Sequence, residues 1–566
     1  MLLCRIVEVM LATRSRMIIA GVGVSCFMVL FPSLLSKKAG EKGEYGGLTL
    51  GISLTLALSM SILLRAVNSG IDITTHNGFQ VIGWILAGVT GILLVVLAKA
   101  GTKPDSGSQS INKNFSKTDS RPGNRWKTLG LSQGITAILV LLYFAFTSPN
   151  VIARWTEANY LLIVSIITLM LCLFAFLLTI KPHLFSVLKR NFVLTWNGLF
   201  VLTMVATIIL HQVKFPTDQS AYPLTDSSPT CFHHIPLVLM LVLFPIILLD
   251  FILFIHELIA AKPTFRVLGE SFTLASLFFL LMIFAQIFTT VYDYIPVIGP
   301  FIRDKFWLVY FFVGMVLTFP VLLTSKYAFN FFTSVSKSKI SKSFLVIMLL
   351  TSLATIAAAF LSSAQPIPQK DQKTALKILT FNIQQGYDKN GLKNYDGQLA
   401  LLRAVAADVI GLQETDTNRI SGGNSDIVRY FADKLNLYSY YGPKTVLGTF
   451  GIAMFSKYPI ENPKTFFMYS AGEQTATISA QMTVANKTFN VFVTHLGNDG
   501  PIVQQEAILQ ELNGLENVIV IGDFNFKPDT EQYRLTTAIL DDAWLLKWPE
   551  GVNYQGLNPV DRIYNI

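Results

Sequence analysis

Ten stretches of the chain stay apolar for roughly the 20 residues a helix needs to cross a hydrocarbon core. They lie near 17–35, 48–67, 79–100, 129–148, 160–179, 191–211, 236–260, 273–292, 308–325 and 344–363. Residues 1–363 are therefore expected to form a polytopic α-helical membrane bundle of about ten spans. The first stretch has the length of a secretory leader, but no small-residue cleavage pattern follows it and nine more spans do. A short polar linker containing proline, 364–375 (AQPIPQKDQKTA), ends the apolar half. After it the period changes. Residues 376–383 (LKILTFNI), 408–413 (DVIGLQ), 450–456, 475–484, 488–495 and 517–522 read as strands, and 394–407, 426–436 and 501–513 as helices. This alternation over 376–566 predicts an α/β or α+β domain built in packed layers. The Ser/Asn/Lys-rich segment 101–128 shows no such period and reads as a solvated loop.

Charge adds sidedness. Only 14% of the residues are charged, against about 25% in an average soluble domain. The net charge of +9 divides unevenly. From residue 376 onward there are 15 Lys/Arg and 20 Asp/Glu, a net of −5, which leaves +14 on the apolar part. The basic balance thus belongs to membrane loops and not to a nucleic-acid surface. Loops after the odd-numbered spans hold 18 Lys/Arg, including Lys37, Lys38, Arg121, Arg125, Lys189, Arg190, Lys337, Lys339 and Lys342, whereas those after the even-numbered spans hold 4. The N-terminal tail adds Arg5, Arg14 and Arg16 to the poorer side. The positive-inside rule places the rich loops in the cytoplasm. After ten spans, the C-terminal domain is then expected on the opposite side: periplasm, cell exterior or ER/Golgi lumen. The four cysteines, Cys4, Cys26, Cys172 and Cys231, all precede that domain, so no disulfide framework or CxxC metal site can be read. Of the N-x-S/T patterns at Asn114 and Asn486, only Asn486 lies on a glycosylatable side.

Polar residues recur where the strands end. Asn382 closes LTFNIQQG, Glu414 follows IGLQ, His495 closes VFVTH, Asp523 and Asn525 follow VIVIG, and Asp561 sits in PVDRI. Apolar strands that deliver these side chains to one rim point to metal-assisted phosphoryl chemistry. A hard cation such as Mg²⁺ prefers carboxylate and amide oxygens and keeps several waters. A carboxylate can orient a nucleophile, and Asn and His can hydrogen-bond phosphoryl oxygens. Any one of these residues alone is more simply a strand cap or a solvated side chain; the joint pattern is what points to a site.

At these positions the chain resembles the endonuclease/exonuclease/phosphatase (deoxyribonuclease-I-like) family, through TFN, QET, THLG and GDFN in that family's order. The resemblance implies an α/β four-layered sandwich with its site at one end of two packed sheets. It implies Glu414 as principal Mg²⁺ (or Mn²⁺) ligand with Asn382 helping to organise metal and phosphate. It implies His495 and Asn525 on the phosphate, Asp523 as the group that activates the nucleophile, and Asp561 as the carboxylate of an I-D-x-I motif, here VDRI. A closer resemblance runs through residues 376–500, in FNIQQGYDKNG, GGNSDIVRYFADKLNLYSYYGP, FGIAMFSKYPI and SAGEQTATISAQMTV. It is to the C-terminal domain of the calcofluor-white-hypersensitive family, polytopic proteins of glycosylphosphatidylinositol (GPI) anchor lipid remodelling. It implies a membrane lipid as substrate, the bilayer as surroundings and other lipid-remodelling membrane proteins as partners, with no nucleic acid.

The sequence-based expectation is therefore a membrane-anchored, metal-dependent phosphodiesterase or transesterase acting on a phospholipid or glycolipid head group. Two rivals are an extracytoplasmic membrane-bound nuclease, which the −5 charge disfavours, and a non-enzymatic scaffold with a lipid-recognition domain. The family's closing Ser-Asp-His motif has no counterpart after VDRIYNI, so the domain is expected to be truncated at its C-terminus and the chain to have lost activity. In the bundle, Asp250 and Glu257 are seven apart on one helical face with His256 adjacent, and intramembrane ionisable groups are functional candidates. HELIA lacks the second His of a zinc-protease helix, and Arg65, near a span end, is expected to snorkel to the interface. His233 and His234 fall in a loop.

Overall fold

The computed structural model describes residues 13–40, 46–76, 78–100, 122–226, 228–290, 299–325, 328–335, 342–369, 375–415, 417–443, 451–553, 556 and 562–565, with Cys4, Val7 and Leu11. Among these residues nine helices are long and apolar enough to cross a membrane. They are built on α1 (Thr13–Gly40), α2 (Gly46–Ala66), α4 (Pro122–Leu141), α6 (Tyr160–Ile180), α7 (Arg190–Leu210), the pair α8 (His234–Leu243) and α9 (Ile246–Ala260), α10 (Phe265–Thr290), α11 (Phe306–Thr318) and α12 (Lys342–Ser362). The remaining expected span is α3 (Gln80–Ala100), in which Gln80–Leu93 is apolar helix. A short helix, α5 (Pro149–Thr156), follows α4 at the loop end of the bundle. Pro245 has no N–H for the helical ladder, and the helix breaks there into α8 and α9.

Helix α9 runs through the centre, packed on α2, α4 and α7. Its close approach to α2 depends on glycine. A Cβ on Gly47 would lie 2.7 Å from the Ile252 carbonyl oxygen, and one on Gly51 2.1 Å from Ile252 Cγ1. Small residues let membrane helices meet backbone to backbone, where dispersion replaces the missing hydrophobic drive. The ionisable pair expected on this helix separates in role. Glu257 is buried against Lys127 of α4, which neutralises it, and His256 stacks on Phe331 at 4.1 Å. Asp250 is fully buried beside Asn197 of α7.

From residue 375 the chain forms two sheets. The smaller is ordered β2 (Ile378–Asn382), β3 (Val409–Gln413), β5 (Ile452–Ser456), β4 (Tyr438–Tyr441). The larger is ordered β1 (Leu224–Thr225), β6 (Glu461–Met468), β7 (Thr475–Val484), β8 (Lys487–His495), β9 (Val518–Asp523), β11 (Arg562–Asn565), β10 (Asp541–Asp542). The β2/β3 and β8/β9 pairs are parallel; the others are antiparallel. Alternation along each strand sorts the side chains. Val409, Ile478, Val493, Ile519 and Ile521 join the core between the sheets. Ile410 and Leu412 meet α13 (Tyr395–Val405) and α14 (Ile427–Leu435) on the outside of the smaller sheet. Phe492 and Val520 meet α15 (Ile502–Leu512) and α16 (Glu531–Thr537) outside the larger.

Gly411 lets the sheets close. A Cβ there would sit 2.6 Å from Ile521 Cδ1 and 3.0 Å from Val493 Cγ1. Gly411→Ala is expected to destabilise the domain by about 1–3 kcal/mol through overpacking, read as a lower unfolding temperature of the purified protein. An unchanged midpoint would show that the inter-sheet contact has slack.

Strands β4, β6, β10 and β11 escape the sequence pattern. Asn462 and Pro463 break the alternation at the start of β6, and β4 and β10 are too short to show a period. Strand β11 lies between β9 and β10 and is antiparallel to both. Strand β1 comes from the bundle, in the loop between α7 and α8, and extends the domain's sheet through Leu224↔Phe467 and Thr225↔Phe466. Other contacts to the domain come from the last turn of α2, from α5, from the loop after α10 and from the end of α12: Arg65, Asn150, Arg154, Arg303 and Ser363. Arg65 does not snorkel as expected. It is buried and donates to the Asn424 and Gly423 carbonyls at 3.3 and 3.2 Å, because the domain covers this end of the bundle.

Candidate active site

The four strands that carry the motifs end level with one another. Register pairs Asn382 with Gln413 in the smaller sheet, and His495 with Asp523 in the larger. Glu414 leaves β3 with φ 50 and Asn525 leaves the β9 end with φ 54. A left-handed backbone is costly for a residue such as glutamate and persists where the surroundings enforce it, which is common at functional sites. Here the Glu414 carbonyl accepts from Gln385 N–H at 2.8 Å, and Thr415 N–H donates to the Gly451 carbonyl at 3.1 Å. Gly451 itself has φ 81. A Cβ on it would lie 2.5 Å from Tyr441 Oη and 2.8 Å from Thr415 Oγ1, so only glycine fits beside the Glu414 turn.

One amide joins the two sheets at this rim. Asn382 Nδ2 donates to Glu414 Oε1 at 2.8 Å and to Asp523 Oδ2 at 3.0 Å, while its Oδ1 accepts from Gln384 N–H at 2.9 Å. His495 Nε2 stands 4.0 Å from Asp523 Oδ2 and 3.4 Å from Asn525 Nδ2. Asn525 Nδ2 also donates to the Leu496 carbonyl at 2.9 Å, and Asn525 N–H donates to Asp523 Oδ1 at 3.1 Å. Burial pushes the His495 imidazole below its ordinary value, with Asp523 and Glu414 pulling the other way. The ring is therefore neutral near pH 7 and able to hold or pass a proton. Asn382, Glu414, His495, Asp523 and Asn525 thus stand together, while Asp561 lies outside the described residues.

The donor chemistry suits a hard, well-hydrated cation. Two carboxylates converge on a single amide group, and Mg²⁺ is commonly held by one or two carboxylates while keeping waters. Among the described residues there is no group of three or more His, Cys, Asp and Glu placed to hold a metal ion; the set at this rim is two carboxylates and an amide. Asn382→Ala removes the donor shared by both carboxylates and leaves like charges facing each other. It is expected to cost about 1–3 kcal/mol in the absence of divalent cation, with much of the loss recovered on adding Mg²⁺. Melting curves with EDTA and with Mg²⁺ check this, and identical curves would refute it.

Sequence reasoning missed the residues that hold the rim in place. Gly451 lies in FGIAMFSKYPI, but nothing in that stretch marks it as the residue beside the Glu414 turn. Asn150, Arg154 and Arg65 lie hundreds of positions from Glu414, and no local pattern links them to it. The nearest hint was the QQG run after β2, whose Gln384 and Gln385 take φ 46 and 57 to turn back onto Glu414.

A two-sheet α/β domain whose strand ends bring Asn, Glu, His, Asp and Asn to one rim is similar to domains of the endonuclease/exonuclease/phosphatase class. Within that class, residues 373–560 match the family described as PGAP2IP, C-terminal nuclease-like domain. That match agrees with the GPI-anchor-remodelling resemblance of the motifs. Protein cwh43 of Schizosaccharomyces pombe is 36% identical over 97 residues, which is 17% of this chain and 10% of that protein. Among solved structures, the human Nocturnin catalytic domain is 18% identical over 34% of this chain and 81% of its own, with a TM-score of 0.27. An endonuclease/exonuclease/phosphatase family protein from Leptotrichia buccalis is 16% identical over 34% of this chain and 87% of its own, also at 0.27.

Proposed function

We propose that this protein is a membrane-held, divalent-cation-dependent phosphodiesterase or transesterase that acts on a phospholipid or glycolipid head group, a GPI-type lipid being the specific version. The observation that carries this reading is the direction of the rim. The loop 415–426, directly after Glu414, and residues 469–474, between β6 and β7, lie against the loop end of the bundle. Asn424 accepts from Arg65, and Ala471 accepts from Arg303 at 2.7 Å. A cleft of about 580 Å³ opens between bundle and domain, lined by Arg154, Tyr160, Asp426, Arg429, Tyr438 and Tyr441 among others. Tyr441 carries that wall to Gly451 and so to the Glu414 turn. The charge-poor loops on the domain's side of the bundle support a position away from the cytoplasm by the positive-inside rule, and the helix–sheet–sheet–helix layering supports the four-layered sandwich that the resemblance implies.

Glu414, with Asn382 and Asp523 beside it, would hold Mg²⁺ or Mn²⁺. Bound there, the cation would neutralise phosphoryl oxygen charge. Asp523 is placed to orient the attacking water or alcohol. Neutral His495 and the Asn525 amide stand ready to hydrogen-bond the phosphoryl group as charge develops. Water as acceptor would give hydrolysis, and a lipid alcohol would give exchange.

A second reading, a membrane-held nuclease, is favoured by the nuclease-like description of the matching family. The experiment is turnover by the full-length protein on phospholipid and glycolipid vesicles and on DNA, with Mg²⁺ and with EDTA. Metal-dependent release of head groups is the expected result. Robust, salt-sensitive DNA cleavage with no lipid turnover would establish the second reading instead.

A further inference from the structure

Glu414 does not hold its left-handed backbone by local preference, so the chain around it must. The segment that follows, 415–426, is a loop in which Asn418, Asn424 and Gly423 also take φ 61, 56 and 70. Loops normally run over the surface, where water satisfies their backbone. Here Asn418, Asn424 and Asp426 are buried instead, each at most 4% exposed, while Ser421 and Gly423 face solvent. Several of the loop's polar groups are satisfied by the bundle. Asn150 donates to the Asn424 carbonyl at 3.0 Å and to Asn418 Oδ1, while Asn418 Nδ2 donates back to the Asn150 carbonyl at 3.2 Å. Asn424 Nδ2 donates to the Tyr143 carbonyl at 2.9 Å. Arg154 grips Asp426 with two parallel bonds of 3.0 Å, and Arg65 holds the Gly423 and Asn424 carbonyls. Three separate segments of the membrane half thus splint one loop, and that loop begins at Glu414.

We propose that Asn150 and Arg154 are positioning residues for the Glu414 carboxylate, so that the membrane bundle sets the affinity of the rim for a divalent cation. The proposal rests on the reading of Glu414 and Asp523 as a cation site. A bidentate Arg–carboxylate pair fixes angle as well as distance, and the paired asparagines fix the start of the loop. When either splint is lost, Glu414 is free to relax to an ordinary backbone conformation and swing its carboxylate away from Asp523. Groups that orient a metal ligand without touching the metal typically matter by about 10–100-fold in affinity.

The test is Mn²⁺ binding to the purified full-length protein, followed by the free-ion electron paramagnetic resonance signal, together with unfolding temperature in EDTA and in Mn²⁺. Asn150→Ala, Arg154→Ala and Arg154→Lys are compared with wild type and with Glu414→Gln. Wild type should bind Mn²⁺ and Glu414→Gln should not. Asn150→Ala and Arg154→Ala should bind at least about tenfold more weakly, with a reduced Mn²⁺-induced rise in unfolding temperature. Arg154→Lys should fall between, since lysine keeps the charge and loses the fork. If Arg154→Ala does not fold, Asn150→Ala decides, because it leaves the Arg154–Asp426 pair intact. Wild-type Mn²⁺ affinity in folded Asn150→Ala and Arg154→Lys, alongside loss in Glu414→Gln, overturns the positioning role and leaves the site reading standing. Wild-type protein whose Mn²⁺ binding does not depend on Glu414 overturns the site reading, and the proposal with it.

Discussion

Asp523→Asn and Glu414→Gln should each lower phosphodiester turnover by about a thousandfold or more while leaving the protein folded. Both side chains accept a hydrogen bond from Asn382 Nδ2, at 3.0 and 2.8 Å. An amide replacing either carboxylate keeps the shape and an accepting oxygen, so the bridge between the sheets has a substitute. Charge is what disappears. Glu414→Gln removes half the negative charge that a cation would neutralise, and Asp523→Asn removes the carboxylate beside His495 that could orient a nucleophile. The loss should therefore appear in turnover and not in the unfolding temperature. Initial rates at saturating substrate and Mg²⁺, with melting curves as control, check this. Turnover near that of wild type in either variant would remove that residue from the chemistry.

Asp426→Ala should be among the most destabilising single changes in the molecule. Asp426 accepts both bonds from Arg154, accepts from Asn418 Nδ2 at 3.2 Å, and caps α14 by accepting from Arg429 N–H at 2.9 Å. It is 2% exposed. Removing it leaves Arg154 without its counter-charge, and because the Arg154 side chain is 22% exposed at the cleft the cost is about 1–3 kcal/mol, less than for a fully buried pair. Loss of the cap adds about 1 kcal/mol. Asp426→Asn separates the two effects, because an amide oxygen can still cap the helix while leaving Arg154 without its counter-charge. Unfolding temperature in detergent should fall furthest for alanine and less for asparagine. Equal, small shifts in both would mean that the interface yields to water and that Arg154 finds another partner.

Much of the candidate site was legible because it lies at the ends of strongly patterned strands. In DVIGLQE and VIVIGD, buried apolar runs give way to polar residues, Gln413 and then Glu414 in the first and Asp523 in the second. Asn382 and His495 end strands in the same way, so the order of motifs could be read before the sheets were assembled. Ten apolar stretches were equally plain, since the bilayer length rule acts on each segment alone. Arg65 shows the limit of such reasoning. By itself, a cation at a span end snorkels; with a folded domain above it, the same side chain is buried against two carbonyls.

The amino-acid sequence by itself therefore determined what local periodicity and composition can carry: a many-helix membrane half, an acidic α/β domain after it, and the residue types delivered to the domain's rim. Tertiary structure alone decided how these meet. It placed Asn382 between Glu414 and Asp523, borrowed β1 from a bundle loop to extend the larger sheet, and laid the loop after Glu414 on Asn150 and Arg154. The physical reason is that these contacts join groups distant along the chain, 32 residues apart for Asn382 and Glu414 and more than a hundred for the others, through hydrogen bonds and close packing that leave no period in either segment.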